Sequence, residues 1–113
     1  MHEMAIAEGI LDITLAYAAR DAATKVNIIS VLIGEMTNIE VESLKFCFTS
    51  LAKATIAEKA ILNIKKMPLI VECKSCKVKQ TVQQYCFFCQ SCGSPDIKLL
   101  SGRELQVEYL EMD

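Results

Sequence analysis

The chain has 113 residues, 52% of them hydrophobic and 23% charged, which supports one compact core, or one core plus a small metal-held appendage, and excludes a disordered polymer. Lys and Arg number 12 against 14 Asp and Glu, for a formal charge of −2; that balance excludes the basic footprint of a general binder of nucleic acid or of acidic membranes. The start, Met1-His2-Glu3-Met4, has no basic segment, and Glu8 and Asp12 break the apolar stretch that follows, so neither a secretory signal nor a membrane span is expected.

Residues 3 to 23 have the spacing of a helix. Ile6, Ile10, Ile13 and Tyr17 fall on one face, widened by Leu11, Thr14 and Ala18. From Val26 a β-branched run through Ile28, Ile29, Val31 and Ile33 ends at Gly34; both of its faces are apolar, as in a central strand. Thr37 or Asn38 can cap a second helix over residues 40 to 56, with Val41, Leu44, Phe48 and Leu51 on its apolar side. Ala60, Leu62 and Ile64 alternate with Ile61, Asn63 and Lys65 in a strand that Pro68 ends. After a turn at Ser101-Gly102, Leu105, Val107 and Tyr109 alternate with polar neighbours in a half-exposed strand over 104 to 111. The expected fold class is therefore α+β, two helices on a three-stranded sheet, with an insert. Residues 1–68 plus 101–113 form the main domain and 69–100 the insert, which holds five of the six cysteines and needs metal or disulfide staples at that size.

In the cytosol, the expected location, thiols stay reduced, and paired cysteines read as metal or redox groups before disulfides. Cys73-x2-Cys76 and Cys89-x2-Cys92 lie twelve residues apart. Four thiolates on two tight knuckles suit a closed tetrahedral Zn²⁺ site; a redox pair, an iron site and a labile disulfide are the alternatives. Cys86-x2-Cys89 is an overlapping knuckle, but Gly93 suits the left-handed turn after Cys92, so the 89/92 pair leads and Cys86 reads as apolar filler. Cys47, between Phe46 and Phe48, reads as a helix-packing residue. The insert's lysines are interleaved with Glu72 and Asp96 and have no Arg among them, which reads as a solvated face.

His2 is the only histidine, so a His-based catalytic pair cannot be built. The α-amine of Met1, the amide and imidazole of His2 and the amide of Glu3 can converge on one cation, and such nitrogen donors favour square-planar Ni²⁺ or Cu²⁺. An exposed, unliganded side chain is the plain alternative for His2.

Taken together, Met1-His2-Glu3-Met4, Ile33-Gly34-Glu35, the two knuckles with Gly93-Ser94, and Gly102-Arg103-Glu104-Leu105 resemble the HypA/HybF hydrogenase nickel-insertion proteins over the whole chain. The resemblance implies a nickel metallochaperone, not an enzyme, that serves nickel–iron hydrogenase and in some organisms urease, with a HypB-type GTPase and the hydrogenase large subunit as partners. It implies nickel at Met1, His2 and Glu3, with Glu40 a further candidate, and structural zinc at Cys73, Cys76, Cys89 and Cys92. It also implies a cytoplasmic monomer or homodimer, with no nucleic-acid or membrane partner. Gln90 stands where Pro is common, and Cys86 is extra. The rival reading is a zinc-ribbon adaptor for proteins or nucleic acid that transfers no nickel.

Overall fold

The computed structural model describes residues 2–83 and 86–113. Helix α1 (Glu3–Arg20) is followed by strand β1 (Val26–Gly34), a 3-10 turn (Glu35–Thr37), helix α2 (Val41–Ala52) and strand β2 (Ile61–Met67). Three short strands come next, β3 (Ile70–Cys73), β4 (Lys79–Thr81) and β5 (Ile97–Ser101), before the last strand, β6 (Leu105–Met112). The protein is thus α+β, with two helices and two small three-stranded sheets ordered β2-β1-β6 and β4-β3-β5.

β1 is the central strand, as its two-sided apolar run requires. It runs parallel to β2, with Ile28 opposite Ile61, and antiparallel to β6, with Ile33 opposite Leu105. The parallel pairing follows from α2, which carries the chain back across the sheet between the two strands. Val26, Ile29, Val31 and Ile33 are fully buried beneath Ala7, Ile10, Leu11 and Ala18 of α1 and Leu44, Phe48 and Ala52 of α2. Each large side chain so buried contributes about 1.5–3 kcal/mol. On the helix-free side of the sheet, Ser30 Oγ donates to Glu108 at 2.9 Å, and Lys65 lies 3.5 Å from the other carboxylate oxygen.

Both helices are shorter than their apolar periods predict, for the same reason. The backbone turns left-handed at Ala22 (φ 53°) and Ala54 (φ 64°), positions where glycine would have marked the stop. After α1, the Ala23 amide reaches back to Ala18 O at 2.8 Å and closes the helix end. After α2, Thr55 Oγ1 donates to Ala52 O, and Glu58 accepts from the Ala54 amide. The cap of α2 also differs from expectation. Thr37 Oγ1 is engaged with Gly34 O and Asn38 is itself left-handed (φ 55°), so the Glu40 carboxylate caps α2 through the Glu42 amide. Finally, the buried face of α1 is rotated from the expected stripe. Ala7, Ile10, Leu11, Thr14 and Ala18 are covered, while Ile13 and Tyr17 remain 45% exposed.

The second sheet has its own small core of Leu69, Val71 and Val82, with Phe87, Ile97 and Leu99 packed on it. The Cα radius of gyration is 17.5 Å, against about 13 Å for a compact chain of this length. The second sheet therefore projects from the first and does not lie on it. The chain crosses between them at Pro68 and Gly102, where Ser101 Oγ donates to Pro68 O.

Candidate metal centre

The two Cys-x2-Cys turns are built alike. In the first, the Lys77 amide donates to Cys73 O and the Cys76 amide to Cys73 Sγ; in the second, Gly93 donates to Cys89 O and Cys92 to Cys89 Sγ. Each turn needs a left-handed residue after its second cysteine. Gly93 (φ 76°) takes that conformation freely, whereas Lys77 (φ 66°) holds it against its own Cβ. Lys77→Gly is therefore expected to stabilise the first knuckle by roughly 0.5–1 kcal/mol. Slower zinc loss to a colorimetric chelator would register the gain; unchanged or faster loss would contradict it.

β3 delivers Cys73, and the chain before β5 delivers Cys89 and Cys92. The hydrogen bond from Cys89 N to Ser94 O closes the second knuckle, and that from Lys74 N to Asp96 O, with the Ser75 and Ser94 hydroxyls meeting at 3.3 Å, holds the two knuckles face to face. All four sulfurs lie within 4.8 Å of one another, with Cys73–Cys92 and Cys76–Cys89 at 3.6 Å. A tetrahedral zinc thiolate with bonds of about 2.3 Å has sulfur–sulfur edges of about 3.8 Å, so this quartet fits that ion.

The electrostatics point the same way. The Cys92 amide pulls the Cys89 thiol down to about 6, and the Cys76 amide lowers Cys73. At Cys92 the Ser94 amide favours the thiolate, yet the sulfurs of Cys73 and Cys89 push the group up to about 12. At Cys76 the Val78 amide likewise favours the charged form, but the Cys89 sulfur and burial raise it. Four negative sulfurs cannot share this space alone, and a dication removes the conflict.

Cys86 lies outside the quartet, and Cys47 packs at the edge of the main core. At the other end of the molecule, His2 is exposed at the start of α1, and its side chain makes no cap hydrogen bond. Glu3 is half-buried, and its Oε2 accepts from the Glu40 amide at 3.4 Å, which brings the start of α2 beside the start of α1. Met1, the fourth residue expected at this end, lies outside the described residues. Among the described residues the cysteine quartet is the one group of three or more side-chain ligands close enough to share an ion; His2, Glu3 and Glu40 do not form such a group. Spacing did not reveal the left-handed Lys77, the Ser75–Ser94 contact or the Gln80 side chain that accepts from the Gln90 amide at 3.0 Å.

Comparison with known proteins extends this geometry. Residues 1–112 match the family described as hydrogenase/urease nickel incorporation, metallochaperone, hypA. The hydrogenase maturation factor HypA of Chlorobium phaeobacteroides is 39% identical over the full length of both chains. That of Pelodictyon phaeoclathratiforme is 37% identical over all of this chain and 97% of its own. Among solved structures, the Ni metallochaperone HypA from Helicobacter pylori superposes with a TM-score of 0.69 at 24% identity, covering 99% of this chain and 97% of that one. A second solution structure of a HypA protein gives 0.73 at 24% identity, covering 99% and 96%.

Proposed function

The chain belongs to the HypA family of hydrogenase/urease nickel-incorporation metallochaperones, and from that premise we propose that it binds Ni²⁺ through its N-terminus and delivers it to nickel–iron hydrogenase, or to urease, during maturation. The family match over residues 1–112 carries this reading. The donors are the amine of Met1, the amide and imidazole of His2, the amide of Glu3 and, as a further candidate, Glu40. The first amides of α1 have no intrahelical acceptor, so nickel can take their nitrogens without breaking the helix. Glu3 accepts from the Glu40 amide and so sets the start of α2 beside the start of α1, which supports Glu40 as a further candidate, although its carboxylate caps α2 through Glu42 N.

A chelate that uses backbone amides must displace their protons. Its hold on nickel weakens as pH falls, which suits handing the metal on. Zn²⁺ on Cys73, Cys76, Cys89 and Cys92 would keep the second sheet folded, and with no vacant ligand position it has no part in transfer. The two separate apolar cores support a division into a nickel domain of residues 1–68 plus 101–113 and a ribbon of 69–100. A HypB-type GTPase and the hydrogenase large subunit are the partners this role requires, and the protein acts as a cytoplasmic carrier, not a catalyst. No helix among the described residues is long and apolar enough to cross a membrane.

The test is calorimetric titration of Ni²⁺ into zinc-loaded protein with its native start, beside His2→Ala. The His2→Ala protein is expected to lose the nickel site and keep its zinc. Equal nickel binding by both would remove the N-terminal site and leave the zinc-ribbon adaptor as the better reading.

A further inference from the structure

The helix layer of the main domain is wider than its sheet. Two packed helices, each about 10 Å across, cover about 20 Å, whereas three strands spaced about 4.8 Å apart cover about 14 Å. The overhang falls on the β6 side, where Ile13 and Tyr17 of α1 and Leu105 of β6 are each 45% exposed. A groove runs between them. Its inner part, about 220 Å³, lies between Ile6, Gly9 and Ile13 on α1 and Leu105 and Val107 on β6. It opens into a wider part of about 520 Å³ bounded by Tyr17, Asp21, Glu108 and Leu110. β6 pairs with β1 alone, so its outer edge has no ladder partner among the described residues.

The missing width is that of one strand, not of a helix. The two sheet edges also differ in how they are guarded. β2 carries Lys65 and Lys66, the usual protection against strand pairing, whereas β6 has no Lys, Arg or Pro from Leu105 to Met112. Its charges are mostly acidic: Glu108 and Asp21 line the groove and Glu104 and Glu111 flank it. Lys65 meets Glu108 on the helix-free face and Arg20, which also lies over the Tyr17 ring, meets Asp21, which leaves this edge with more carboxylates than cations. A second copy of β6 would set these carboxylates against their own kind, which costs stability in a strand pair. A basic strand would find opposite charge.

We propose that this groove receives an extended segment of a partner protein, about six residues of alternating apolar side chains interspersed with Lys or Arg, which adds to β6 as a fourth strand beneath α1. Its apolar side chains enter between Ile13 and Tyr17 on one wall and Leu105 and Leu110 on the other, while the cations between them point to the helix-free face beside Glu108, where they share its carboxylate with Lys65. The inference does not depend on where nickel binds.

The experiment uses the full, zinc-loaded chain and a capped peptide of about nine residues alternating Val and Lys. Amide spectra and hydrogen exchange are recorded with this peptide, with a Glu-for-Lys version, and with a version N-methylated along its length. Binding of the Lys peptide is expected to shift α1 and β6 resonances and to slow exchange of β6 amides roughly tenfold or more, with the effect weakened by salt. The Glu and N-methylated peptides should not bind, and Tyr17→Lys, a change at a half-exposed position, should abolish binding. Absence of β6 protection, protection confined to another surface, or equal binding of the N-methylated peptide would each overturn the proposal. So would β6 protection that grows with protein concentration alone, since the occupant would then be a second copy.

Discussion

Replacing Cys89 with serine is expected to abolish zinc retention and to melt the segment from Ile70 to Ser101, while the sheet of β1, β2 and β6 keeps its fold. Among the described residues the second sheet has an apolar core of just Leu69, Val71 and Val82 beside the buried ligands Cys73 and Cys89, and its strands are three to five residues long. A segment of that size does not order itself on its own core. A structural zinc thiolate site contributes an apparent 10–16 kcal/mol, on the order of the whole stability of a small domain. Cys89 is the most sensitive of the four positions. Its sulfur accepts the amides of both Ser91 and Cys92 and touches Cys76 Sγ, so serine removes a ligand and unsettles the turn that presents Cys92. Zinc per chain by atomic emission, with the two-dimensional amide spectrum, provides the check. Stoichiometric zinc in the variant, or dispersed ribbon resonances after the metal is gone, would count against a zinc-held ribbon.

The second large effect lies where the chain passes between the two sheets. A Cβ built on Gly34 would stand 2.0 Å from Gly102 O and 2.6 Å from the Arg103 amide. These obstacles are backbone, pinned by hydrogen bonds from Gly34 N to Glu104 O and from Met36 N to Gly102 O, both 2.8 Å. They cannot rotate aside as a side chain would. Gly34→Ala is expected to cost about 3 kcal/mol or more, a large share of the roughly 5–15 kcal/mol that holds a domain together. Gly9→Ala is the control: nothing lies within 4 Å of the added carbon, and in mid-helix alanine is favoured by about 0.5–1 kcal/mol. Urea unfolding should move the two midpoints in opposite directions with little change in slope. A Gly34→Ala midpoint equal to that of the parent would show that the crossing can shift to admit a methyl group.

Much of this fold is legible in the sequence because its signals are periodic. β1 announces its central place through an apolar run with no polar side, and β6 its half-exposure through the alternation of Leu105, Val107 and Tyr109. The expected face of β6 holds only to Val107, because a register shift after it leaves Tyr109 exposed and brings Leu110 and Met112 onto the core. The helix ends are not legible, because Ala22 and Ala54 take conformations that sequence reading reserves for glycine. The α1 stripe departs from its period for another reason: Ile13 and Tyr17 share the helical period with Ile10, yet no element among the described residues covers them. Periodicity reports which residues are apolar, not what lies opposite. In the second sheet the strands are too short for any period to register, whereas the cysteine spacing placed the quartet without reference to strands. The Glu3–Glu40 contact joins residues 37 positions apart, and composition and spacing carry no trace of such a meeting; resemblance alone pointed to Glu40.

The pairing of Ile70 with Ser101 bears on the order of folding. β6, the last strand made, must find β1 across the whole intervening chain, with Val26 opposite Met112. If residues 70 to 101 are loose, closing that loop costs about 3 kcal/mol of chain entropy in the transition state for docking. Once the ribbon has folded, its two ends already lie side by side, and β6 is handed to β1 over a path of a few residues. Zinc capture would then act as a timing step, making completion of the main sheet fast only in chains that have loaded their ribbon.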